Sequence, residues 1–145
     1  MKIKNTRIAI CLVLAILGSV ILNACKSNKV NFKYGSGEVI DIKKTVLVIV
    51  DDSSLNSIEF KIDEKYDDKY FETKSLIVIA FKTATNINNI CNISLKKQDG
   101  ILEVDVKGKM GINDVVDVLF KVLEVSREDI KDVKSLNLVT NLNKI

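Results

Sequence analysis

Leu76-Ile77-Val78-Ile79-Ala80-Phe81 sets six apolar residues in an unbroken row between Lys74-Ser75 and Lys82-Thr83. A run this short is strand length, and its β-branched centre favours extended backbone. Side chains alternate across a strand, so apolar residues at every position need cover on both faces. The run therefore predicts a central strand, and the remainder of the chain must supply a layer on each side of it. Thr45-Val46-Leu47-Val48-Ile49-Val50 reads as a second strand buried on both faces.

Working outward, Ile90-Cys91-Asn92-Ile93-Ser94-Leu95 alternates. Cys91, Ile93 and Leu95 share one strand face, while Asn92 and Ser94 share the other. Gln98-Asp99-Gly100 is a hairpin signal, and residues 101–106 alternate as the partner strand. Gly108 and Gly111 bracket another loop, and residues 133–139 read as a strand that closes the sheet. Ile58, Phe60 and Ile62 fall on one side of a short strand or loop. Tyr66, Tyr70 and Phe71 put three rings on one helical face, with Asp63 or Asp67 as the cap. Asp51-Asp52-Ser53-Ser54 and Ser126-Arg127-Glu128-Asp129 read as short capped turns. Residues 115–125 stay open at this point. Asp117, Lys121 and Glu124 keep helical spacing, yet five of the eleven residues are valine. As a strand, the segment would carry Val116, Val118, Phe120 and Val122 on one face. The class is α+β, mainly β: a single small antiparallel sheet or sandwich with one or two short helices.

The N-terminus has a different character. Lys2, Lys4 and Arg7 precede an apolar run of 15 residues, 8–22, broken only by Gly18 and Ser19. A membrane span needs about 20 such residues, so the run reads as the core of a signal peptide. It ends in Leu22-Asn23-Ala24-Cys25. This resembles a lipobox, in which Leu22 and Ala24 guide a lipoprotein signal peptidase and Cys25 takes a diacylglycerol. The resemblance implies a signal peptide over 1–24, a lipidated cysteine and flexible tether over 25–37, and a β-rich domain over 38–145. Two or three acyl chains such as palmitate make a stable anchor, since each buried methylene contributes about 0.8 kcal/mol. Lysine outnumbers arginine, and Ile and Asn are abundant, as in proteins of AT-rich Gram-positive cells. The expected location is the cell membrane, with the domain facing outside the cytoplasm.

Removing 1–24 leaves 121 of the 145 residues, one domain's worth. The formal charge of +3 comes from that leader, which holds three of the 22 basic residues and no acid. The remaining 19 balance 19 acids, so there is no electrostatic footprint for nucleic acid. Lys26, Lys29 and Lys33 follow the anchor, either as a solvated tether or as contacts to anionic headgroups worth roughly 1 kcal/mol each. Cys11 leaves with the leader and Cys25 carries lipid, so Cys91 has no partner for an internal disulfide and reads as a small core hydrophobe.

Tyr66-Asp67-Asp68-Lys69-Tyr70-Phe71, followed by Lys74-Ser75-Leu76-Ile77-Val78-Ile79, resembles the segment Y-D-x-x-F-F-x-x-x-S-L-V-V-V. That segment belongs to a family of exported Gram-positive proteins related to the C-terminal domain of the protease-complex subunit PrcB. The order is kept beyond it: a loop, a hairpin at Asp99-Gly100, a glycine before Asn113-Asp114, then Leu119 onward to Ser126 and Asp129-Ile130. The resemblance spans roughly residues 45–139. It implies a small β-rich domain, which tips 115–125 towards strand, and a role in binding and stabilising a protein. Related domains often have glycine in the loop after the strong strand, whereas residues 83–89 have none.

The leading expectation is thus a non-catalytic, lipid-anchored binding module, with a protease or another envelope protein as partner. Its candidate contacts are Thr83, Thr85, Asn86, Asn88 and Asn89, with residues 107–113 as a second loop. The alternative is a solute-binding lipoprotein or a protease inhibitor. A hydrolase is the least favoured reading. The chain has no histidine, which excludes Ser-His and Cys-His dyads and histidine-bound metals. G-x-S-x-G does not occur after residue 25, and S-x-x-K occurs only at Ser94–Lys97, inside the alternating strand run, where residues three apart fall on opposite faces. No cofactor or metal motif is present, and Asp51-Asp52 lacks the glycine-centred spacing of a calcium loop.

Overall fold

The central apolar run forms the middle of a ten-residue strand, and its residues from Leu76 to Ala80 are wholly buried in the computed structural model. That structure describes residues 28–52, 59–83, 91–110 and 116–144. In chain order the elements are β1 (Lys29–Val30), β2 (Phe32–Tyr34), β3 (Gly37–Val39), β4 (Val46–Val50), β5 (Phe60–Ile62), α1 (Asp68–Phe71), β6 (Lys74–Thr83), β7 (Cys91–Gln98), β8 (Ile101–Met110), β9 (Asp117–Ser126), α2 (Arg127–Ile130) and β10 (Ser135–Lys144). One sheet has the order β1-β7-β8-β10 and the other β2-β9-β6-β4, while β3 and β5 form a separate pair.

The two four-stranded sheets pack as a sandwich. Ile77, Ile79 and Phe81 of β6 and Leu119, Leu123 and Val125 of β9 meet Ile93, Leu95, Leu102, Val104 and Val106 of the other sheet. The intervening residues Leu76, Val78 and Val122 point the opposite way, onto Phe60, Tyr66 and Phe71. The second sheet is therefore buried on both faces, as continuous hydrophobicity requires, and β5 with α1 supplies the outer layer. Each fully buried aliphatic side chain contributes about 1.5–3 kcal/mol, so this double burial is the main source of stability.

The fold is mainly β with two short helices, as the sequence predicts. Residues 117–126 are a strand, paired with β6 from Lys74↔Ser126 to Thr83↔Asp117. The Asp99-Gly100 hairpin forms, with both residues at positive φ (52° and 77°), the pairing that matches the twist of two antiparallel strands. Asp67 caps α1, its carboxylate accepting from the Tyr70 amide at 2.8 Å.

Several expectations are corrected. Residues 28–37 are not a tether, and the fold does not begin at Glu38. β1 pairs with β7, β2 pairs with β9, and the chain changes sheets at Asn31. Val30 is buried and Phe32 packs against the same core. These strands are only two and three residues long, too short to show a period. β4 is an edge strand that meets a core on each face, Leu47 and Ile49 on one side and Val46, Val48 and Val50 on the other, but it is mostly half-buried rather than fully covered. Gly108 lies inside β8, opposite Cys91. Ser126 occupies the cap position of α2 without a side-chain capping bond. β10 runs parallel to β8 in an otherwise antiparallel sheet. Parallel neighbours need a crossover, which β9 and α2 provide by passing through the other sheet.

Candidate functional site

The strand directions give the sandwich two distinct ends. Lys97 donates its amide to the Asn28 carbonyl (2.7 Å), so the chain enters beside the Asp99-Gly100 turn. α2 lies at this end too, since the Arg127 amide bonds Thr73 O (3.0 Å) and the Lys134 amide bonds Gly100 O (2.7 Å). β6 ends and β9 starts at the opposite end, where Thr83 faces Asp117. β7 starts and β8 finishes there as well, where Cys91 faces Gly108. The two candidate contact loops therefore both connect strands at the end remote from the chain's entry.

At that remote end Thr83 is buried within β6. Thr85, Asn86, Asn88 and Asn89 lie outside the described residues, as do 111–113. Lys107 is exposed and reaches Asp105 at 3.2 Å. Asp105 is buried on the outer face of its sheet, where it also accepts from the Asn141 side-chain amide at 3.1 Å. Val116, just before β9, is 65% exposed, an apolar side chain left largely open to solvent. Leu22, Ala24 and Cys25 lie outside the described residues.

A polar cluster sits where the β2–β3 link crosses the second sheet. The Tyr66 hydroxyl accepts from the Ser36 amide (2.9 Å) and donates to Glu124 (2.8 Å). Lys65 approaches the same carboxylate at 3.6 Å and lies over the Tyr66 ring at 4.8 Å. Asp63 accepts from the Lys65 amide (3.0 Å) and the Ser36 hydroxyl (2.9 Å). Those two donors, the amide foremost, hold the Asp63 carboxyl below the usual carboxylate range. The Lys65 ammonium is raised, chiefly by Tyr66 and then by the charges of Glu124 and Asp63. Burial pushes the Tyr70 phenol well above its ordinary value.

The sequence places Tyr66 on the core and offers Asp63 or Asp67 as a cap, but it carries no sign of the cluster. Its partners stand 30 and 58 residues apart, so no local spacing could reveal them. An open depression of about 380 Å³ beside it is lined in part by Glu38, Asp63 and Glu64. Acid catalysis by a carboxyl pair requires one member kept protonated, and Asp63 is shifted the other way. The cluster's evident work is mechanical: it pins the β2–β3 link to β9. Among the described residues, no group of three or more His, Cys, Asp or Glu side chains is placed to hold a metal. No described helix is long and apolar enough to cross a membrane. No protein-family model, curated protein or solved structure matches the chain.

Proposed function

We propose that this protein is a membrane-anchored extracytoplasmic lipoprotein whose β sandwich is a non-catalytic protein-binding module. It would hold or stabilise an envelope protein, with a surface protease as the first candidate. The observation that carries this reading is the polarity of the fold. The chain enters at one end, just after the lipobox, and the two polar connections singled out in the sequence both belong to the other. Such a module presents its contact surface away from its anchor. Exposed Val116 supplies an apolar element at that end, and Lys107 supplies charge. The resemblance to the PrcB C-terminal-like family favours a protein partner over a solute.

The test is extraction of the full-length lipoprotein from its own membranes in gentle detergent, followed by affinity capture and mass spectrometry. A stoichiometric envelope protein is expected. Its recovery should fall several-fold with Val116→Asp or Lys107→Glu and hold with Asp132→Asn at the opposite end. An acylated, surface-located protein that retains no partner would remove the binding-module reading.

A further inference from the structure

Resting on the lipid-anchor reading, we infer that the sandwich is held flush on the membrane. The end that carries the Asp99-Gly100 turn and the turn after α2 sits against the phospholipid headgroups. β1 pairs Lys29 with Lys96, and Asn28 then bonds Lys97, so the backbone leaves the sheet towards the Asp99-Gly100 turn. Only Lys26 and Ser27 separate Asn28 from Cys25. Three residue steps reach at most about 10 Å even when fully extended. The headgroup zone of one leaflet occupies about 5–7 Å of that distance. An acylated Cys25 therefore leaves Asn28 within a few ångströms of the headgroups. The exposed groups beside it then lie within about one Debye length, roughly 8 Å.

Reach, not charge, sets this orientation. Lys29, Lys97 and Lys131 share one shallow hollow of about 500 Å³ at this end with Glu128, Asp129 and Asp132. Within that hollow the acids offset the lysines, and Lys131 is already paired with Glu128. The surface is polar and balanced, suited to hydrogen bonding with headgroups of either zwitterionic or anionic lipid. Met110 lies seven strand steps beyond Glu103, the β8 partner of Lys96, so the opposite end stands roughly 24 Å further from the bilayer.

The chain contains no tryptophan, so a single introduced one reports its own position. The acylated full-length protein would be placed in phospholipid vesicles containing nitroxide-headgroup lipid, and tryptophan quenching measured. Asp132→Trp and Lys134→Trp test the near end, and Asp117→Trp and Lys82→Trp the far end; all four positions are exposed. Near-end tryptophans should be quenched several-fold more than far-end ones, equally in zwitterionic and anionic vesicles and at high salt. Ten Gly/Ser residues inserted between Ser27 and Asn28 add roughly 16–19 Å of mean reach and should erase the difference. Equal quenching at both ends, stronger quenching at the far end, or a contrast lost in high salt would overturn the orientation. Partition into a detergent phase separates the two failures. An unacylated, water-soluble chain refutes the anchor itself, whereas an acylated chain with equal quenching refutes only the orientation.

Discussion

Tyr66 ties three separated parts of the chain together. Its ring fills the outer core, and its hydroxyl joins Ser36 to Glu124. Gly35 passes so close that an added Cβ would collide with that hydroxyl and press on Val122. Gly35→Ala should cost about 1–3 kcal/mol through overpacking, and Tyr66→Phe about 1–2 kcal/mol through lost hydrogen bonds. Since the colliding atom is the one that Tyr66→Phe removes, the double variant should lose less than the sum. Urea midpoints of the four proteins complete this cycle; strict additivity would deny the contact. Asp63 gives a pH signature. Its folded value lies below its unfolded one, so its contribution is complete above the unfolded value and is lost as the pH falls through the folded value. Asp63→Asn should therefore flatten the decline in urea midpoint below about pH 4, leaving the decline due to other carboxylates. An unchanged acid limb would remove the linkage.

At the scale of elements, what the sequence shows depends on how local the cause is. β6 declares itself because six consecutive apolar residues fit only a doubly covered strand. The β7–β8 hairpin is legible because Asp99-Gly100 suits the positive φ values its turn requires. The strand reading of β9 rests on its valines and a family resemblance, since its charged positions also fit a helix. β1 and β2 were invisible as strands. Val30 and Phe32 are two steps apart but enter different sheets, so no alternating run builds up. The parallel seating of β10 was likewise hidden, because crossover direction depends on the whole sandwich and not on residues 135–144. The N-terminal strands yield a prediction at this scale. A chain starting at Asn28 should unfold cooperatively, whereas one starting at Glu38 should lose about 3 kcal/mol or more with the burial of Val30 and Phe32. Equal thermal and urea stability of the two chains would restore the tether reading.

For the whole molecule, the described residues form three layers. The outer sheet faces solvent with polar residues, the middle sheet is buried on both sides, and β5 with α1 closes the remaining face. With Cys25 acylated as proposed, stability rests on packing rather than a disulfide, and the middle sheet supplies two hydrophobic interfaces. The proposed anchor rests on the leader's length and charge and on the position of Cys25. The proposed contact surface reads in the sequence only as two polar loops, and that both join strands at one end emerges from strand direction, which no local pattern encodes. The proposed anchoring at one end and the proposed binding at the other both depend on the chemistry at Cys25. The most direct test is the intact mass and N-terminal peptide of the protein extracted from its native membranes. A chain of 121 residues beginning at Cys25, with diacylglyceryl on its sulfur, is the predicted result. A chain that keeps residues 1–24, or that begins elsewhere without lipid, would contradict it.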